Sequence, residues 1–194
     1  MAVSGGKSPW QMFRALADAD MPWKAVLVTQ VDERVAPPGH PDRNLTQLRE
    51  SLLSNVPLSP QQVYPMPVEE SDLNAAAEQY AQTLRQIAGT PPILDLAHLG
   101  LGPDGHTASL VPNDPVLNVS DRDVALTNVY MGRRRMTLTC PMLNRSRLIL
   151  WLATGPEKRD MLCRLEARDT TIPAGRILQD RAIIVADRAA VERQ

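Results

Sequence analysis

Four short apolar runs constrain this chain more than any other feature: "AVLVTQV" at 25–31, "ILDLAHL" at 93–99, "LILWLAT" at 148–154 and "AIIVAD" at 182–187. Runs of this length and composition suit strands covered on both faces, as in a parallel sheet. Between them lie segments with helical spacing. Leu45, Leu48 and Leu52 share one face, as do Leu73, Ala77, Tyr80, Leu84 and Ile87; the second set has Ser71 as its expected N-cap and Gly89 as its stop. Pro156 opens a further helical pattern that aligns Met161, Leu162 and Leu165. Strands alternating with helices predict an α/β fold, with a doubly wound, mostly parallel sheet flanked by helices, Rossmann-like in class. The stretch "DVALTNVYMGRRRMTLTC" differs. Its two β-type runs about a tight glycine-arginine turn predict a peripheral antiparallel hairpin.

At 194 residues the chain suits one domain over 1–194. Its opening, "MAVSGGKSPW", leaves only a stub of strand before a glycine loop, so the domain is expected to lack an N-terminal helix and most of a first strand. The formal net charge of −1 offers no global field for nucleic acid or an anionic membrane, so an anionic ligand must be held by a few local cations. Cys140 and Cys163 form neither a metal spacing nor a disulfide framework, and no apolar run approaches the roughly 18 residues of a membrane span. With no signal peptide either, the expected compartment is the cytoplasm.

In open α/β sheets ligands bind outside the carboxyl ends of the strands, and four loops expected there carry unusual residues. In "SGGKS", Ser4, Gly5 and Gly6 precede a helix and would present N–H groups to a phosphate, with Lys7 adding charge and Ser8 a hydroxyl; a plain strand-to-helix turn is the other reading. In "DER", Arg34 suits an anionic group while Asp32 and Glu33 would orient a base or bind sugar hydroxyls; alternatively, the three form a salt-bridged surface turn. Lys158 lies in the first turn of a helix, where a cation is unfavourable unless an anion binds there. Arg133, Arg134 and Arg135 form either a solvated turn or a hairpin tip that swings one arginine over the crevice.

The fourth loop, in "LGLGPDGHTASL", matches G-x-G-x-x-G at Gly100, Gly102 and Gly105. A dinucleotide site fits badly, because Asp104 would repel a pyrophosphate and His106 would have no task there. Acid–base chemistry fits well. Glycines turn the backbone sharply, Asp104 holds the tautomer of His106, and the N–H groups of Gly102 and Gly105 are candidate donors to an oxyanion. The plainer alternative is a histidine that caps a following helix.

Taken together, "SGGKSP", "DERVAPPGHPDRN", "LGLGPDGHTASL", "RMTLTCPMLNRSR" and "LWLATGPEK" resemble the 6-phosphogluconolactonase family, in order from Ser4 to about Arg188. The resemblance implies hydrolysis of 6-phospho-D-glucono-1,5-lactone, with a phosphorylated sugar lactone as the small-molecule partner and no metal or organic cofactor. It implies His106 as the general base, assisted by Asp104, and Arg34 and Lys158 on the phosphate with the Ser4-Gly5-Gly6 loop. Arg135, which precedes the family's "x-T-L-T" strand, is a secondary candidate. Family members often have serine before the asparagine that follows the acidic motif, whereas this chain has Arg43 before Asn44, which bears on the local substrate contacts. The related glucosamine-6-phosphate deaminases share the acidic pair and the Asp-Gly-His loop. They typically carry tyrosine where this chain has Arg34 and isoleucine-alanine-phenylalanine where it has Thr107-Ala108-Ser109, so both differences favour the lactonase. A non-catalytic sugar-phosphate-binding paralogue is the third reading; as a regulator's sensor it should carry a partner module, and none is legible.

Overall fold

In a computed structural model that describes residues 1–6 and 8–192, the elements run in chain order. They are β1 (Ala2–Val3), α1 (Ser8–Ala17), β2 (Val28–Gln30), β3 (Asp32–Arg34), α2 (Asn44–Ser51), β4 (Val63–Tyr64), α3 (Leu73–Ala88), β5 (Ala97–Gly100), β6 (Val124–Leu126), β7 (Arg135–Leu138), α4 (Cys140–Asn144), β8 (Ile149–Ala153), α5 (Arg159–Glu166), β9 (Ala182–Ala186) and α6 (Arg188–Val191). Six strands form a parallel sheet in the order β4-β2-β1-β5-β8-β9. From β1 the chain winds one way through β2 and β4, then the other way through β5, β8 and β9. The order therefore reverses between β1 and β5, where an α/β sheet opens a crevice.

Successive residues of a strand face opposite sides of a sheet, and β1 shows this in two residues. Val3 joins Phe13, Val28, Leu48 and Leu52 in the core under α1 and α2. Ala2 joins Ala77, Tyr80, Leu84, Ala97 and Leu99 in the larger core on the α3 side. The helical spacings read from the sequence hold, since Leu45, Leu48, Leu52, Ala77, Tyr80 and Leu84 are all buried. The cap of α3 is corrected by one residue. Asp72, not Ser71, accepts the N–H groups of Asn74 and Ala75, while Gly89 ends the helix at φ 90°. Pro156 opens a single 3-10 turn through Lys158, and α5 follows it.

The expected antiparallel hairpin is present as β6 and β7, and it closes on Met131 and Gly132 at φ 50° and 80°. Two positive values in succession make the mirror-image turn that matches strand twist. The "DER" segment is a strand, not a loop. Asp32–Arg34 pair antiparallel with β7 and complete a second, three-stranded sheet in the order β3-β7-β6. Val31 is the junction. Its N–H donates to Val3 O in the first sheet at 3.0 Å, and its carbonyl accepts from Leu138 N in the second at 2.8 Å.

Candidate active site

Residues of three of the four expected loops, with β3 and the start of α2, line one open cleft of about 660 Å³ at the reversal point. Ser4, Gly5, Gly6 and Ser8 form one wall; Asp32, Arg34 and Asn44 a second; Gly102 and His106 a third; and Lys158 reaches in from the turn after β8. Lys7 lies outside the described residues. Gly105 and Arg135 are not on the cleft lining, though each shapes a residue or loop that is.

Gly5 is required by a close approach, since a Cβ there would lie 1.9 Å from Asn44 Oδ1, and Gly6 takes φ +106°. Among the described residues no hydrogen bond takes up the N–H of Gly5 or Gly6, and both sit at the N-terminus of α1. Ser8 Oγ accepts from Thr154 Oγ1 at 2.6 Å, which ties that terminus to the end of β8. The loop also rests on an unforeseen residue. His98 of β5, 1% exposed, accepts the Ser4 N–H at Nδ1 and meets the ring of Phe13 edge-on. Burial pushes its pKa down to about 4.

The acidic pair divides its work. Glu33 is fully buried and is not available to sugar hydroxyls. It accepts from Arg34 N, Asn44 N, Leu45 N and Gln30 Nε2 at 2.7–2.9 Å, and so caps the start of α2. Arg43 lies 3.2 Å from Glu33 and 2.6 Å from Glu69, and donates to Ala36 O. The arginine that departs from the family pattern is thus an interior brace. By fixing α2, Glu33 sets Asn44, whose Nδ2 donates to Asp32 O at 3.0 Å and Oδ1 at 3.1 Å. Asp32 Oδ2 accepts from Ser109 Oγ at 2.6 Å, so one carboxylate ties the second sheet to the segment after His106.

His106 Nδ1 lies 2.5 Å from Asp104 Oδ1. A carboxylate only accepts, so Nδ1 carries a proton, and in the neutral imidazole the lone pair lies on Nε2. Burial raises the Asp104 pKa, but the hydrogen bond from His106 and the charge of its protonated form, with the Tyr130 hydroxyl, outweigh it and hold the carboxyl far below its usual range. Gly102 is required here too, since a Cβ would fall 2.1 Å from His106 Nδ1. The N–H of Gly102 donates to His106 O and that of Gly105 to Gly102 O, at 2.8 and 3.0 Å. Both donors are consumed in closing the loop, so they do not serve an oxyanion. No helix follows His106 directly; Thr107–Leu110 form a tight turn instead.

The arginine run separates. Arg133 pairs with Asp42 at 2.7 Å, and Arg134 reaches Thr127 O at 3.4 Å. Arg135 is buried beside Ser109 and over the Tyr130 ring, and burial with the nearby Arg34 lowers its pKa. Arg34 also donates to Asp42 O at 2.7 Å.

The model for "Glucosamine-6-phosphate isomerases/6-phosphogluconolactonase" matches residues 1–185. The chain belongs to this family. Within it, the 6-phosphogluconolactonase of Synechocystis is 38% identical over 166 residues, which cover 84% of this chain and 69% of that protein. The human 6-phosphogluconolactonase is 34% identical over 189 residues, covering 90% and 71%. A crystal structure of the Thermotoga maritima 6-phosphogluconolactonase superposes with a TM-score of 0.85 at 28% identity, over 95% of this chain and 83% of that one. A monomeric glucosamine-6-phosphate deaminase shares the fold at a TM-score of 0.82 and 19% identity, over 97% and 86%. Sequence similarity within the family thus runs toward its lactonases.

Proposed function

We propose that this chain hydrolyses 6-phospho-D-glucono-1,5-lactone to 6-phospho-D-gluconate, the lactone-opening step of the pentose phosphate pathway, with His106 as general base. The observation that carries the reading is His106, held by Asp104, on a cleft that also holds a glycine loop, a helix N-terminus, Lys158 and Arg34. One end of such a cleft suits a phosphate. The other suits activation of water.

His106 Nε2 takes a proton from water as the water oxygen adds to C1 of the lactone. Asp104 stabilises the imidazolium that forms. The tetrahedral intermediate collapses with cleavage of the C1–O5 ring bond, and the proton on Nε2 passes to O5. The product acid then ionises. No step calls for a metal or organic cofactor. The Ser4–Gly6 loop, Lys158 and Arg34 hold the phosphate, Asp32 and Asn44 face the sugar hydroxyls, and Arg135 adds positive charge behind the reacting carbonyl. A net charge of −1 argues against a nucleic-acid partner, and among the described residues no helix is long and apolar enough to cross a membrane. Both fit a metabolic enzyme of the cytoplasm.

The test is acid release from freshly prepared lactone, above its spontaneous rate, by the unaltered chain and by His106→Ala. Loss of general-base catalysis should lower kcat by about 10²–10⁴-fold. Equal rates from two folded proteins would overturn the assignment of the base.

A further inference from the structure

Tyr130 was not singled out by any motif, yet it contacts the candidate base, the carboxylate that holds that base, and Arg135. Its hydroxyl donates to Asp104 Oδ2 at 2.8 Å, across 26 residues of sequence. Its ring stands edge-on to the His106 imidazole, with centroids 5.7 Å apart at 66°. The Arg135 guanidinium lies 4.9 Å from the same ring centroid on the hairpin side. The turn aims it there: Tyr130 and Arg133 exchange backbone hydrogen bonds at 2.9 and 3.3 Å around Met131 and Gly132, and the Arg133 side chain anchors the tip on Asp42.

We propose that Tyr130 is a positioning residue, whose hydroxyl shares the Asp104 carboxylate with His106 and so sets how strongly that carboxylate holds the imidazolium. The role rests on His106 being the base. A donated hydrogen bond draws negative charge toward Oδ2 and away from Oδ1, where His106 is held. Arg135 over the ring strengthens the phenol as a donor. Other charged groups around His106 are Asp32 and Arg34 from β3 and Lys158 across the cleft, together with Arg135. None of them is altered by removing one hydroxyl.

The experiment is Tyr130→Phe, which keeps the ring under Arg135. Two readouts are needed: the titration of the His106 Cε1–H resonance by NMR, and the acid limb of the kcat/KM–pH profile. With three histidines in the chain, His106→Ala identifies the resonance. Loss of the hydroxyl returns charge to Oδ1, so the His106 titration is expected to move up by about half a unit to one unit, and the acid limb with it. Site-specific 3-fluorotyrosine at 130, a stronger donor in the same shape, should move both down. It also keeps the test open if the phenylalanine variant fails to fold. A His106 titration that stays put in a folded variant overturns the proposal, even if activity falls. A titration that moves while the acid limb does not upholds the Tyr130 role and removes His106 as the base.

Discussion

The backbone N–H of Ser4 donates to Nδ1 of His98 at 3.3 Å, so the loop at the end of β1 hangs on a buried imidazole of the neighbouring strand. An N–H can only donate, so Nδ1 must be unprotonated and His98 neutral. Burial holds its folded pKa at about 4, against an ordinary 6.5.

A stability prediction follows from that gap. Below pH 6.5 the unfolded chain takes up a proton that the folded chain refuses until about pH 4. Stability is therefore full above the unfolded value and falls as pH drops through this window, by up to about 3 kcal/mol. His98→Asn keeps a side-chain acceptor and does not titrate. Urea unfolding at pH 7.5 and pH 4.5 should show the unaltered chain losing more stability than the variant. Equal losses would remove His98 as the source.

Gly102→Ala tests the fit of the loop that seats His106. The new Cβ would lie 2.1 Å from His106 Nδ1, so the imidazole must leave its seat. A displacement of about 1 Å can cost about 10²-fold in rate. The expected result is a kcat lowered by at least about that factor, with a fold intact by circular dichroism. Wild-type kcat would mean that the observed seat of His106 is not the working one.

Asp104→Asn removes the charge opposite the imidazolium and can present an amide N–H to Nδ1 in place of an acceptor. The expected signature is a kcat lowered by at least about 10²-fold, with KM changed less, because the lost interaction forms mainly in the transition state. Steady-state kinetics on the lactone decide it. A rise in KM alone would recast Asp104 as a substrate ligand.

Arg43→Ala distinguishes a brace from a substrate contact. Arg43 is 1% exposed and Glu33 fully buried, so truncation leaves a buried carboxylate without its cation. Breaking such a pair costs about 3–5 kcal/mol. The variant should unfold at much lower urea, while its folded fraction keeps a near-normal KM. A raised KM with unchanged stability would return Arg43 to the substrate side.

Much of this architecture was legible locally. The strands near 93–99, 148–154 and 182–187, the leucine face of α2 and the turn at the hairpin tip depend on side-chain periodicity and glycine conformation, which a short window of sequence carries. So does the Asp104–His106 pair, because two residues separated by one glycine cannot move far apart. The chain alone therefore determined a parallel α/β sheet with a histidine–aspartate pair at a strand end. The tertiary structure decided the rest. The segment Asp32–Arg34 became a strand because β7 was there to pair with it, and that pairing turned Glu33 inward to cap α2 and recruit Arg43. His98 sits beneath the Ser4 loop only because β5 lies beside β1. Tyr130 reaches Asp104 only because the hairpin tip packs against the Asp104–His106 loop. A side chain's role in these cases is set by which distant backbone it faces, and no local pattern encodes that neighbour.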